Sequence, residues 1–276
     1  MNFKSYFKII RPVNAAIVFL SVMLGAISMG DYNNFADKII FASLAAVCFS
    51  SAGMVLNDYF DFEIDKINRP DRVLPSGEIS LKGAIIYFVI LNIIGLFLNS
   101  LLPNQTQIIG FSAAITIYFY NSNFKKKYLI GNIIVATMTG LTFIYGASLF
   151  GFNTILIIPF SFAFLIMFSR EVLKTIEDVE GDKSQNANTV AIKLGKNKSI
   201  ILVKILLIFL IILDILPFIY GWFNYKYFII VNLTINSAAL YSIIILNNNS
   251  DLKIISRASA FLKYSLFGGL IALWLR

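Results

Sequence analysis

Acidic residues in this sequence are concentrated in two short segments. Of the fifteen Asp and Glu residues, six lie within 58–78 and five within 171–182. In the first segment Asn57, Asp61 and Asp65 follow one another at steps of four residues, which places them on one helical stripe that drifts by about 40° per step. An amide carbonyl and two carboxylates are hard oxygen ligands that suit Mg²⁺. The spacing therefore predicts a magnesium site on this stripe.

The second acidic segment repeats the same spacing. Asp178 and Asp182 are four residues apart, and Lys174 precedes Asp178 by the same step. We expect Gly181 to end this helix. Because Mg²⁺ takes one or two carboxylates and bridges to phosphate oxygens, two acidic stripes that converge would bind a diphosphate through the metal. The alternative interpretation is that each acid-rich loop is only a solvated surface.

Basic residues flank both acidic segments. Pro70 should end the first helix, which leaves Arg69 and Arg72 on a loop beside the acids. We expect cations to neutralise the diphosphate oxygens that the metal does not reach, and the candidates are Arg72, Lys174, Lys125, Lys126 and Lys127. The three consecutive lysines also suit a topology anchor, so both interpretations stay open for that run.

The overall composition is that of a membrane protein. The 276 residues are 58% hydrophobic and 14% charged, whereas a soluble domain has roughly 25% charged residues. The chain has no histidine, which excludes histidine bases and imidazole ligation of haem or metals. The single cysteine, Cys48, excludes a disulfide within the chain and cysteine-cluster metal sites.

Apolar runs predict an all-α integral membrane protein with about nine transmembrane helices in one bundle. A helix needs about 20 apolar residues to cross the hydrocarbon core. We interpret 1–276 as a single multi-pass domain, and we expect Asp214 to reach water at the outer end of its helix. The predicted spans are 13–30, 38–57, 81–100, 106–121, 130–150, 154–171, 199–217, 226–246 and 254–275.

The segments that connect these spans differ in positive charge. Eighteen of the 23 Lys and Arg residues lie in one alternating set of connections, formed by the N-terminus, 58–82, 122–129, 170–198 and 247–257. The opposite set contains three. Because basic loops remain in the cytoplasm, we predict a cytoplasmic N-terminus in the cell membrane. Both acidic segments then place the active site at the cytoplasmic face.

Together with their flanks, the acidic segments resemble the paired signatures of the UbiA superfamily of intramembrane prenyltransferases. Residues 57–65 (NDYFDFEID) with 68–77 are similar to the first signature, and 174–182 with 189–195 are similar to the second. The chain departs from the pattern at Thr175, where many members have an aspartate. Other positions also fit the family, and these are Arg11, Pro12, Tyr118, Tyr120 and Asn132.

The resemblance implies Mg²⁺-dependent transfer of a prenyl group from a prenyl diphosphate donor to an acceptor. We assign the metal to Asn57, Asp61, Asp65, Asp178 and Asp182. The candidate catalytic residues are Asp61, Asp65, Asp178, Asp182 and Lys174. Binding of diphosphate or of the acceptor is assigned to Arg11, Arg72, Tyr118, Lys125, Lys126, Lys127, Arg170 and Lys174.

Within the superfamily, both signatures most resemble members that join geranylgeranyl diphosphate to geranylgeranylglycerol phosphate, a lipid phosphate acceptor surrounded by membrane lipids. The alternatives are an aromatic acceptor such as hydroxybenzoate or naphthoate, and a haem-modifying reaction. Outside the superfamily, a cation-coupled transporter is the rival interpretation, but transporters usually place ionisable groups near the bilayer midplane. Neither nucleic acid nor an obligate protein partner is expected.

Overall fold

The structure is a computed structural model that describes residues 3–29, 35–184 and 187–276, with the backbone alone at 67–68. The described residues form helices joined by short turns, with no β-strand among them, so the predicted all-α class is confirmed. The helices are α1 (Phe3–Ile9), α2 (Pro12–Ile27), α3 (Ala36–Phe60), α4 (Phe62–Asn68), α5 (Leu81–Ser100), α6 (Asn104–Phe119), α7 (Ile130–Ala147), α8 (Ile157–Glu177), α9 (Val179–Ser184), α10 (Val190–Ile219), α11 (Tyr225–Val231), α12 (Ser237–Ile245) and α13 (Leu252–Trp274).

Each of the nine predicted apolar segments falls on helical structure, although residue 30, the last of the first span, lies outside the described residues. By length and composition, six helical stretches among the described residues suit a membrane crossing, and α1 with α2, bent by 58°, would be a seventh. The chain is thus a multi-pass membrane protein, and the count of nine stays a prediction. The six stretches are Ala36–Phe60, Leu81–Ser100, Ile130–Ala147, Thr154–Glu177, Val190–Ile219 and Tyr225–Ile245.

The chain forms two compact units. In the first unit, 1–125 with 142–156, α3 packs against α2 and α5. Gly25 on α2 approaches the Phe143 carbonyl so closely that a Cβ has no room. A separate buried cluster joins α1, α3, α5 and the loop that follows α4, and its members include Ile9, Val55, Val73, Leu74 and Leu91.

In the second unit, 126–141 with 157–276, α8 packs against α10 and α13. Gly195, at φ 76°, interrupts the helical backbone near the start of α10, a conformation that glycine adopts without strain. The expectation that Asp214 reaches water is wrong. Asp214 is fully buried because α10 continues to Ile219, and the buried Tyr227 lies against it, donating a hydrogen bond to the Asp214 main-chain carbonyl at 3.1 Å.

Candidate active site

Asp61 marks a break in the helix that carries the first acidic stripe. It lies between α3 and α4, yet the main-chain hydrogen bonds keep their four-residue step across the break. The Asp61 N–H donates to the Asn57 carbonyl at 3.0 Å, and the Asp65 N–H donates to the Asp61 carbonyl at 2.8 Å. Asn57 and Asp61 also touch through their side chains, since Asn57 Nδ2 donates to Asp61 Oδ2 at 3.0 Å. The helix α4 ends at Asn68, before Pro70.

Lys125 is the cation that lies on this stripe. Its Nζ donates to Asn57 Oδ1 at 2.8 Å and also pairs with Asp61 Oδ2. A π-helical turn at Tyr120–Phe124 delivers it, and this turn is docked on α3 because the buried Asn121 donates to the Gly53 carbonyl at 3.4 Å. Of the three consecutive lysines, Lys125 is therefore placed among the acids by the fold.

Two arginines border the stripe on another side. Arg72 Nη1 lies 2.5 Å from Asp65 Oδ2 and 3.3 Å from Asp58 Oδ1. Arg11 Nη2 lies 2.5 Å from the same Asp58 oxygen. The buried side chains of Val73 and Leu74 fix the loop after α4, and this positions Arg72. The four-residue spacing did not indicate a role for Asp58, because Asp58 directly follows Asn57 and lies off the stripe.

Charges in this cluster balance, with three carboxylates facing three cations. Burial raises the pKa of Asp65, and repulsion from Asp61 and Asp58 adds to this rise, while Arg72 opposes it. Burial on its own would lower the pKa of Arg72, but the neighbouring carboxylates raise it. An anion that reaches this cluster therefore meets a charged guanidinium group at Arg72.

The donor set of the stripe fits Mg²⁺. Lys125 and Arg72 use only one oxygen of each acid, so Oδ1 of Asp61 and Oδ1 of Asp65 accept no hydrogen bond from the described residues. Across the part of the chain that the structure describes, no three Asp, Glu, Cys or His side chains converge as a ready-made metal cage. Mg²⁺ does not need one, because it binds through one or two carboxylates together with waters and substrate phosphates.

In the second unit, Asp178 marks a similar break between α8 and α9. The Asp178 N–H donates to the Lys174 carbonyl and the Asp182 N–H to the Asp178 carbonyl, both at 2.9 Å. Lys174 Nζ pairs with Glu171, one turn back on α8. The expectation that Gly181 ends the helix is wrong, since Gly181 lies inside α9 and the break comes earlier, at Asp178.

The remaining candidate residues have other surroundings. Arg170 is buried on α8, and its Nε donates to the Ser259 carbonyl of α13 at 2.9 Å, so it ties two helices together. Lys126 and Lys127 have exposed side chains, although the Lys126 carbonyl accepts the Asn188 N–H at 2.8 Å. Tyr118 is 49% exposed on α6, with its ring edge against a neighbouring phenylalanine ring. The structure thus gathers Arg11, Arg72 and Lys125 around the first stripe.

Comparison with known proteins gives a family match over most of the chain. The family model described as the UbiA prenyltransferase family matches residues 15–267. A digeranylgeranylglyceryl phosphate synthase of Methanosphaera stadtmanae is 39% identical over 226 residues, or 82% of each chain. The synthase of that name from Saccharolobus solfataricus is 37% identical over 275 residues, or 99% of this chain and 96% of the relative.

Solved structures show the same fold. One, described as giving structural and mechanistic insights into digeranylgeranylglyceryl phosphate synthase in membranes, has a TM-score of 0.74 at 32% identity and covers 98% of this chain and 96% of its own. A UbiA homolog from Archaeoglobus fulgidus bound to GPP and Mg²⁺ has a TM-score of 0.71 at 18% identity, covering 98% and 99%. The second likeness concerns the fold alone.

Proposed function

The chain belongs to the UbiA prenyltransferase family, and on that premise we propose that it transfers a geranylgeranyl group from geranylgeranyl diphosphate to geranylgeranylglycerol phosphate. The product is digeranylgeranylglyceryl phosphate, an ether-lipid precursor. The names of relatives that align over nearly the whole chain support this acceptor. The observation that carries the proposal is the cluster in which an acidic stripe is bordered by Arg11, Arg72 and Lys125.

In the first unit, Asp61 and Asp65 would hold Mg²⁺ through the two carboxylate oxygens that accept no hydrogen bond from the described residues. The amide oxygen of Asn57, which accepts from Lys125 Nζ at 2.8 Å, has a second lone pair for the metal. When bound, the metal supplies positive charge to the diphosphate leaving group. For the second acidic segment we propose the same role, with Asp178 and Asp182 as ligands and Lys174 as a contact to the diphosphate.

The main catalytic task is stabilisation of the leaving group. Ionisation of an allylic C–O bond releases diphosphate, so preorganised cations at its oxygens lower the barrier. An incoming diphosphate competes with Asp61 for Lys125 and with Asp65 for Arg72. The same cations therefore hold the site together without substrate and bind the leaving group when it forms.

The acceptor hydroxyl attacks the allylic carbon that ionisation leaves behind. The chain has no histidine to act as the base, and the hydroxyl proton passes to a carboxylate or to a diphosphate oxygen late in the step. The allylic carbocation must be kept from water, and helices rich in apolar side chains provide an environment that excludes water.

We also propose that the whole chain acts as one domain with nine spans and a cytoplasmic N-terminus. The distribution of charge supports this, since eighteen of 23 cations lie in one alternating set of connections. The acidic segments belong to that set, so the reaction takes place at the cytoplasmic face of the cell membrane.

A product assay tests the proposal. Purified protein is incubated with geranylgeranyl diphosphate, Mg²⁺ and either geranylgeranylglycerol phosphate or hydroxybenzoate, and the products are identified by mass. We expect the doubly prenylated glycerol phosphate, formed about 100-fold or more slowly by Asp61→Asn. Failure to prenylate any acceptor would contradict prenyl transfer, and a prenylated aromatic alone would contradict the acceptor.

A further inference from the structure

Asp58 on α3 holds two arginines with one oxygen. Its side chain is buried, and Oδ1 accepts from Arg11 Nη2 at 2.5 Å and from Arg72 Nη1 at 3.3 Å. The two arginines are 61 positions apart in the sequence, so only the tertiary fold brings them to the same atom. A carboxylate that receives two guanidinium groups fixes their separation as well as neutralising part of their charge.

Asp58 does not belong to the stripe of metal donors. It directly follows Asn57, and consecutive residues on a helix point about 100° apart. Asn57 and Asp61 contact Lys125, and Asp58 contacts Arg11. Arg72 contacts both Asp58 and the stripe residue Asp65. Arg72 therefore links Asp58 to the metal donors, whereas Arg11 pairs with Asp58.

The backbone at Arg11 has a strained conformation, and the ion pair between Arg11 and Asp58 helps to stabilise it. Arg11 has φ 51°, a left-handed conformation at the bend of 58° between α1 and α2, and a non-glycine residue pays for that conformation. Ile9, two residues before Arg11, is buried in the same cluster as Val73, which follows Arg72. One buried cluster therefore positions both arginines beside Asp58.

Both guanidinium groups keep N–H donors for another partner. Within the described residues Arg11 bonds through Nη2 alone and Arg72 through Nη1 alone. An arginine has five N–H donors in a planar fork, so each retains donors that can receive an anion while Asp58 holds the other side.

We infer that Asp58 is a positioning residue that presents Arg11 and Arg72 as a pair to the diphosphate. The inference rests on the proposed function. Asp58 also limits how strongly Arg72 pairs with Asp65, because the same Nη1 atom serves both carboxylates. Without Asp58, Arg72 would pair with Asp65 alone and compete with the metal there.

Binding of inorganic pyrophosphate tests this without turnover. Equilibrium dialysis in Mg²⁺-containing buffer compares the wild-type protein, Asp58→Asn and Glu63→Gln. The control removes a carboxylate from the same segment, but Glu63 is exposed and pairs with Lys66. We expect Asp58→Asn to bind about tenfold more weakly, the value of one charge-assisted hydrogen bond, and to need more Mg²⁺ for half-maximal binding. Glu63→Gln should bind as the wild type does.

Two further variants separate positioning from a general loss of structure. In an Arg11→Gln background, Asp58→Asn should weaken binding by a smaller factor than in the wild type, because part of its effect has already been removed. If Asp58→Asn does not fold, Asp58→Glu replaces it, and its longer side chain should give binding weaker than the wild type.

Each result has a definite meaning. Three outcomes would overturn the inference but not the proposed function. The first is pyrophosphate binding by Asp58→Asn equal to that of the wild type, and the second is an equal reduction in affinity in the wild-type and Arg11→Gln backgrounds. The third, if Asp58→Asn unfolds, is wild-type binding by Asp58→Glu. Absence of pyrophosphate binding by the wild type would instead remove the diphosphate site, and the proposed function with it.

Discussion

Nη1 of Arg72 lies 2.5 Å from Oδ2 of Asp65. The pair occupies one oxygen of Asp65 and leaves the other without a hydrogen bond from the described residues. Lys125 likewise pairs with Oδ2 of Asp61 and leaves Oδ1 without a hydrogen bond from the described residues. Each acid of the stripe is therefore neutralised on one side and available on the other, the arrangement that a metal bound through single carboxylate oxygens requires.

Loss of a carboxylate from either acidic stripe should greatly slow turnover without unfolding the protein. Asp61→Asn keeps the side-chain shape but removes the charge that pairs with Lys125 and would bind Mg²⁺. We expect Asp61→Asn or Asp178→Asn to lower the turnover number by about 100-fold or more, as for loss of other electrostatic groups at a reacting centre. Product formation and circular dichroism measure the two effects. Full activity in EDTA would contradict a role for the metal.

Orientation in the membrane can be read by cysteine labelling. Ser76 and Ser184 have exposed side chains in the first and second units, so Ser76→Cys and Ser184→Cys should react readily once Cys48→Ser removes the native thiol. In oriented vesicles, an impermeant maleimide should label both from the cytoplasmic side only. Labelling of either position from the outside would overturn the predicted topology.

Local sequence signals were enough to locate the helices that begin and end sharply. The structure has α5 at Leu81–Ser100, the predicted 81–100, because Ser80 caps it by accepting the Gly83 N–H at 3.0 Å. In contrast, α10 starts at Val190, not 199. The first turns of α10 contain several lysines and the kink at Gly195. The hydropathy pattern therefore predicts only the later, apolar part of this helix.

The candidate site shows the same division between local and tertiary information. A four-residue step is visible in the sequence, and it predicts that Asn57, Asp61 and Asp65 share one stripe. The convergence of Arg11 and Arg72 on Asp58 depends on a core that joins α1, α3 and the loop after α4. Sequence periodicity cannot predict such a contact, and the hydrogen bond from Arg170 to the Ser259 carbonyl could not be predicted for the same reason.

Docking of α1 should depend on pH through Glu78. Hydrogen bonds from Ser5 at 2.7 Å and Lys8 at 3.0 Å lower the pKa of Glu78 below its ordinary value of 4.5. A lowered pKa means that the charged form stabilises the folded state above pH 4.5, and that this contribution is lost as the pH falls through the lowered value. The melting temperature of Glu78→Gln should therefore lie below that of the wild type at neutral pH and converge with it in acid. A difference that stays constant down to about pH 3 would contradict this.

Two aspartates should affect stability in opposite directions. Both carboxylate oxygens of the buried Asp214 have no partner among the described residues, so Asp214→Leu, with the same branching and no polar atoms, should stabilise the fold by about 1–3 kcal/mol. Asp251 caps α13 by accepting the Ile254 N–H at 2.8 Å, and Asp251→Ala should cost about 1 kcal/mol. Thermal unfolding in detergent measures both. A lower melting temperature for Asp214→Leu would mean that its carboxyl group binds a partner.

The acceptor should be a prenylated glycerol phosphate and not an aromatic ring. Such an acceptor brings an anionic head, which needs cations beyond those that hold the diphosphate, and a long tail, which needs apolar surface open to lipid. The chain supplies three cations at the first stripe and, on the same predicted side, the exposed Lys126 and Lys127. An aromatic carboxylate would also need an arginine, so competition must decide between them. With equal geranylgeranylglycerol phosphate and hydroxybenzoate and one prenyl donor, we expect nearly all product mass on the glycerol phosphate. A predominance of prenylated hydroxybenzoate would assign the chain to quinone synthesis instead.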